Sequence, residues 1–160
     1  MPSDAWIKRL FGRYDEVILA LTPTVDTINA RLAIFNYLKG IVKHALGEDI
    51  FPIGSFVGKV FLLDGDLDLT VLLPKGVLSN SWFVKLNEAL CMAAMSVSGI
   101  GNPQDRLSFM RMTVNNISFI NAEVKIIKAS INNVSVDISA NQISSVYAQA
   151  LLEKVLLFIL

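Results

Sequence analysis

The 160-residue chain holds one cysteine, Cys91, and one histidine, His44. A single thiol cannot build a disulfide framework, and one histidine beside it cannot complete a Cys/His zinc site. Such cysteine usage fits a reducing compartment. An excess of charge is missing too, because fourteen Lys and Arg residues balance fourteen Asp and Glu residues. There is no basic stripe able to neutralise several phosphates at once, so this chain is not the main holder of a polynucleotide. Asp4, Lys8, Arg9 and Arg13 interrupt the apolar residues of the first thirteen, which excludes the continuous core of a signal peptide. No apolar run is expected to reach the length of a membrane span. Without an export signal, the glycosylation-type triplets Asn116-Ile117-Ser118 and Asn133-Val134-Ser135 are chance matches. These absences predict a protein of the nucleus or cytoplasm, not secreted and with no membrane partner. Internal repeats and low-complexity tracts are also lacking.

What is present is apolar: hydrophobic residues make up 53% of the chain and charged ones 18%, the balance of a compact domain able to bury a core. Ser3 can cap a helix through about Leu21 that carries Trp6, Leu10 and Ile18. Thr22-Pro23 reads as the cap and first-turn proline of a second helix. Its apolar positions Val25, Ile28, Leu32, Phe35, Leu38 and Val42 recur every three or four residues, and Lys43, His44 and Gly47 provide the stop. This helix is expected to pack beneath a sheet, with His44 as a surface residue that complements the helix dipole.

Strands are expected at Asp49–Pro52, Leu67–Leu73, Ser118–Ile131 and Val134–Ser139, the last two joined by an Asn132-Asn133 turn. Between them, Ser79–Ser98 has helical spacing around Trp82, Leu86, Leu90 and Met95, and Gly99–Asp105 reads as a loop. A final helix begins at Ser144.

The chemistry concentrates in Phe51–Leu73, FPIGSFVGKVFLLDGDLDLTVLL. Successive side chains of a strand point to opposite faces, so Asp66 and Asp68 share one side and Leu67 and Leu69 the other. Two carboxylates that close repel, and a divalent cation such as Mg²⁺ relieves the repulsion with hard oxygen ligands. Gly54 allows close backbone approach, while Ser55 adds a hydroxyl beside amides that can point at phosphate oxygens. A short helix starting there would add its N-terminal amides.

Two look-alikes are set aside. Gly54-Ser-Phe-Val-Gly58-Lys59 is one residue short of a P-loop and has Val60 where the metal-binding hydroxyl should stand. Asp64 precedes Gly65, and an Asp-Gly turn accounts for it. In Asn133–Asn141, Val134, Val136 and Ile138 alternate with Asn133, Ser135, Asp137 and Ser139, which puts Asp137 on a polar strand face.

Gly-Ser, ten residues and then Asp-Leu-Asp resembles the signature of the polymerase β-like nucleotidyltransferase superfamily. The closer likeness is to the branch of non-canonical poly(A) polymerases and terminal uridylyltransferases, particularly its plant-type members. LTPT at Leu21–Thr24, FPIGSF, LDGDLDLT and FINAEVKIIKASINNVSVDISANQ at Phe119–Gln142 carry that resemblance over most of the chain.

The resemblance implies an α/β (α+β) fold, a mixed sheet flanked by helices. It implies a two-metal site of Mg²⁺ or Mn²⁺ held by the catalytic residues Asp66, Asp68 and Asp137. Gly54 and Ser55 would bind the phosphates of a nucleoside triphosphate such as ATP or UTP. The implied reaction is nucleotidyl transfer to a hydroxyl, most naturally an RNA 3′ end.

Residues 1–160 are expected to form one catalytic palm domain, with 1–47 as N-terminal helices and 144–160 as the start of a helical domain that family members carry. Val155–Leu160 is apolar on every side of a helix, and such a helix wants burial. A missing domain, a partner or a second copy could cover it, so a truncated product and a self-associating short protein both remain as readings. Two other functional readings stay beside the enzyme: a catalytically silent nucleotide-binding module and a structural interaction domain.

Overall fold

The computed structural model of the protein describes residues 4–58, 60–74, 81–98 and 112–159. Ser3, Lys59, Ser79 and the expected loop Gly99–Asp105 lie outside them. Helices α1 (Asp4–Leu21) and α2 (Val25–Leu46) precede strands β1 (Asp49–Pro52) and β2 (Leu67–Leu72). Helix α3 (Ser81–Ser98), strands β3 (Val114–Asn121), β4 (Lys125–Ile131) and β5 (Val134–Ala140), and helix α4 (Ile143–Ile159) follow.

The α2 cap is Thr24, not Thr22. Thr24 has extended backbone, and its hydroxyl accepts a hydrogen bond from the Thr27 amide at 3.2 Å. Thr22 instead closes α1, its hydroxyl donating to the Ile18 carbonyl at 2.6 Å. Pro23 therefore stands just before the cap, where its missing N–H costs nothing. Thr24→Ala is expected to remove about 1 kcal/mol of stability, read as a melting temperature lower by a few degrees. At the other end Gly47 adopts φ 76° and returns its N–H to the Lys43 carbonyl at 3.0 Å, with His44 exposed in the last turn.

The buried stripe of α2 runs through Arg31, Ile34, Leu38 and Val42. The expected positions Val25, Ile28 and Leu32 point outward instead. In the later turns Leu38 and Val42 are buried as expected, whereas in the middle of the helix the buried positions are Arg31 and Ile34, one residue before the expected Leu32 and Phe35. A second correction concerns length: the helical stretch 12–46 is long and apolar enough, by length and composition alone, to cross a membrane. It is broken between α1 and α2, and Ile34, Leu38 and Val42 are committed to the core under the sheet.

The sheet order is β1-β2-β5-β4-β3, with β2 and β5 parallel and every other pair antiparallel. Leu67, Leu69 and Val71 of β2, Val136 and Ile138 of β5 and Ile127, Ala129 and Ile131 of β4 form one buried face. Against it pack α2 and, from α3, Trp82, Leu86 and Leu90. Burying these aliphatic side chains is the main driving force for the fold, at roughly 1.5–3 kcal/mol for each fully covered large one.

The single strand expected over Ser118–Ile131 is a hairpin, with β3 and β4 turning at residues 122–124 and pairing from Asn121 opposite Lys125. That turn contains no Gly, Pro or positive-φ residue, so the sequence carries no punctuation there. The Asn132-Asn133 turn matches its expectation, with φ values of 48° and 63°. Asn132 also ties the hairpin sideways, accepting from the Thr113 amide at 2.8 Å.

Candidate active site

The turn after β1 lies directly against β2. Ile53 donates its amide to the Asp68 carbonyl at 2.9 Å, and Gly54 follows at φ 72°. A Cβ on Gly54 would stand 2.6 Å from Asp68 Oδ2, so a side chain there would strain the backbone and force the Asp68 carboxylate or the turn to shift. Residues 54–58 form a turn rather than the expected short helix. The amides of Gly58 and Val60 return to the carbonyls of Gly54 and Ser55 at 3.4 and 3.1 Å. Any amide donation to a phosphate thus comes from loop amides, not from a helix terminus. Ser55 is half-buried in this turn.

Asp68 lies on β2 in register with Asp137 on the parallel neighbour β5. Asp66 precedes the first ladder pair, Leu67 with Val136, and is exposed. The structure therefore brings Asp68 and Asp137 side by side across 69 positions of sequence, with Asp66 at the mouth of the strand.

Burial, then Asp137, then Asp66 push the Asp68 carboxyl above the usual carboxylate range, and Lys128 acts against them. Lys128, opposite Asp137 on β4, forms an ion pair with Asp137 Oδ2. The hydrogen bond to Asp137 holds the Lys128 ammonium above the ordinary lysine range. Asp137 Oδ1 is buried and has no hydrogen-bond partner. Among the described residues no three His, Cys, Asp or Glu side chains are gathered closely enough to hold a metal ion as they stand. The donor set nonetheless suits a hard cation: mutually repelling carboxylates, one with an orphaned oxygen, where among the described residues the cation acting on Asp68 is the Lys128 ammonium.

Asp64 lies exposed in the turn closed by the Gly65 amide on the Leu62 carbonyl at 2.9 Å, as its Asp-Gly pairing predicts. Two residues near the site escaped sequence reasoning. Lys128 was findable: it is the fourth residue before the Asn132-Asn133 turn and Asp137 the fourth after it, so a two-residue hairpin must place them opposite one another. Arg31 gave no such signal, since a charged residue on a helix ordinarily faces water. It is 2% exposed, and its Nη2 donates to the carbonyls of Leu63 and Gly65 at 2.9 and 2.7 Å.

A five-stranded mixed sheet on two helices, with acidic residues paired across its parallel strands and a glycine turn pressed on one of them, defines a palm of the polymerase β-like nucleotidyltransferase class. Residues 12–155 match the family described as poly(A) RNA polymerase, mitochondrial-like, central palm domain. The chain belongs to that family, within the poly(A) polymerase and terminal uridylyltransferase branch.

Solved structures share the fold. Cid1 poly(U) polymerase bound to MgGTP matches with a TM-score of 0.67 and 18% identity, covering 93% of this chain and 42% of that one. Cid1 with the UTP analogue UMPNPP matches at 0.66 and 16%, covering 91% and 40%. Cid1 with its short product ApU matches at 0.63 and 16%, covering 86% and 38%. The present chain thus spans about two-fifths of the length of the structures it matches. No curated protein matches its sequence.

Proposed function

We propose that this chain is a catalytic palm that transfers a nucleotide from a nucleoside triphosphate to a hydroxyl acceptor, the 3′ end of an RNA. The observation that carries this reading is the register pairing of Asp68 with Asp137, with the Gly54 turn packed on the Asp68 carboxylate. It is supported by family membership and by the fold shared with a poly(U) polymerase seen with MgGTP, a UTP analogue and ApU.

Asp66, Asp68 and Asp137 are the residues that would hold Mg²⁺ or Mn²⁺. Bound cations would supply Lewis acidity at the transferred phosphoryl group and at the attacking hydroxyl. Asp137 would also assist deprotonation of that hydroxyl. Ser55 and the loop amides around Gly54 would orient the β- and γ-phosphates. The balanced charge of the chain leaves the grip on RNA to surfaces beyond the palm. The residues from 144 onward would begin the helical part that completes the cleft.

One observation favours a second reading, nucleotide binding without transfer: the Lys128 ammonium already engages Asp137. Calorimetric titration of ATP and UTP into the 160-residue chain, with and without Mn²⁺, tests the site. Binding should require Mn²⁺ and vanish in the Asp66→Ala/Asp68→Ala double variant, whereas binding that ignores the metal or survives in the variant would refute it. Supplying an RNA primer then separates the two readings, since the silent module binds triphosphate and yields no product.

A further inference from the structure

We infer that Arg31 is a positioning residue for the acidic centre, holding from behind the turn that aims Asp66 and the loop that carries Gly54 and Ser55. The inference deepens the proposed nucleotidyl-transfer reading and rests on it for its affinity readout.

Asp66 lies outside the β ladder, whose first β2 pair is Leu67 with Val136. Its position is therefore set by the turn before it. That turn has one internal backbone hydrogen bond in the structure, Gly65 to Leu62, which leaves the carbonyls of Leu63 and Gly65 to an outside partner. Arg31 Nη2 takes both, bracketing Asp64 and ending one residue before Asp66. Nη1 reaches back to the Thr27 carbonyl at 3.4 Å, which anchors the guanidinium on its own helix.

The second half of the site hangs on the same group. The guanidinium stacks over the Phe61 ring at 4.6 Å, and that ring packs on Phe56 with centroids 5.4 Å apart. Phe56 directly follows Ser55. One side chain thus braces both loops that form the proposed site, its hydrogen bonds going to the carbonyls of Thr27, Leu63 and Gly65 rather than to Asp66, Asp68, Asp137 or Ser55.

Core stability alone does not call for an arginine here. The side chain is buried with its Nε unpaired, and an apolar residue would avoid desolvating the charge. The planar guanidinium lets Nη2 meet both carbonyls while Nη1 reaches Thr27 and its face lies over Phe61, a combination that methionine and lysine lack.

The test uses Arg31→Met and Arg31→Lys in the 160-residue chain, with three readouts: thermal unfolding, backbone hydrogen exchange and Mn²⁺·ATP affinity from the Mn²⁺ paramagnetic resonance signal. Arg31→Met should unfold cooperatively near the wild-type temperature, exchange faster selectively at residues 61–66, and bind Mn²⁺·ATP about 10-fold more weakly, the lower end for residues that orient metal ligands. Arg31→Lys should recover part of both effects. Uniformly faster exchange across the core, or wild-type exchange at residues 61–66, would overturn the inference. So would unchanged affinity in a folded Arg31→Met protein. If Arg31→Met does not fold, the same criteria apply to Arg31→Lys. If the wild type binds no Mn²⁺·ATP, the function reading fails, and the exchange pattern still decides whether Arg31 holds the turn.

Discussion

Asp68→Asn is expected to melt at a higher temperature than the wild type at neutral pH without metal, and to lose at least about 100-fold in affinity for Mn²⁺·ATP. The affinity figure is the upper end of what losing an outer-shell partner costs, and a direct ligand should cost no less. The stability gain follows from the raised Asp68 carboxyl, for which burial is the first cause and Asp137 and Asp66 are the next. Between the ordinary value of 3.8 and the raised one, the folded chain keeps a proton that the unfolded chain has released. The native state then binds more protons, so wild-type stability falls as pH rises through that window. Asparagine has no charge to bury, and its fall should be absent. Below the ordinary carboxylate range the two proteins should melt alike. Melting curves across acidic to neutral pH check the sign, and a variant that melts lower than wild type at neutral pH would contradict it. Saturating Mn²⁺·ATP should raise the wild-type melting temperature by mass action and leave the variant unmoved.

Gly54→Ala should fail at the site for a reason that its backbone angle alone does not capture, and Gly47→Ala is the control. Both glycines have positive φ, 72° and 76°. Alanine at either position carries left-handed strain of roughly 1–2 kcal/mol. A Cβ at Gly47 meets nothing within 4 Å, whereas at Gly54 it meets Asp68 Oδ2 at 2.6 Å. Relief at Gly54 requires the turn to lift or the Asp68 carboxylate to swing away, and either separates the loop proposed to bind phosphate from the acid. Both variants should therefore melt lower, but only Gly54→Ala should lose Mn²⁺·ATP binding, by about 10-fold or more on the scale of disturbed metal-site supports. Equal affinities in the two variants would mean that the Gly54 turn does not take part in binding.

The apolar residues that remain uncovered set these sites in context. Tyr147, Leu151, Leu152 and Val155 of α4 are exposed, as are Val17 and Leu19 of α1. Among the described residues neither helix contributes a side chain to the buried cluster. Of the stretch Val155–Leu160 expected to want cover, Val155 is exposed, and the side chains of residues 156–160 lie outside the described ones.

Local features were the legible ones. Alternation over β2 and β5 assigned the faces of Asp68 and Asp137, because the two-residue period is a property of the extended backbone itself. The Asn132-Asn133 turn was legible since asparagine tolerates positive φ, while the turn at residues 122–124 needs no such residue and left no mark. The α2 stripe was misread by one face over its first turns, since an amphipathic pattern tells which residues are apolar and not where along the helix the sheet begins.

By itself, then, the sequence determined the strand faces, which follow from the dihedral preferences of the extended backbone, while the class of chemistry was legible through the resemblance of its Gly-Ser and Asp-Leu-Asp motifs to a known superfamily. The tertiary structure alone decided three things. It placed Asp68 beside Asp137 by choosing a parallel β2–β5 pairing, and it closed the Gly54 turn onto the Asp68 carboxylate. It also buried Arg31 against the carbonyls of Leu63 and Gly65. Those contacts join residues far apart in the chain, and only the packing of helices against the sheet, driven by the burial of apolar surface, selects which distant partners meet.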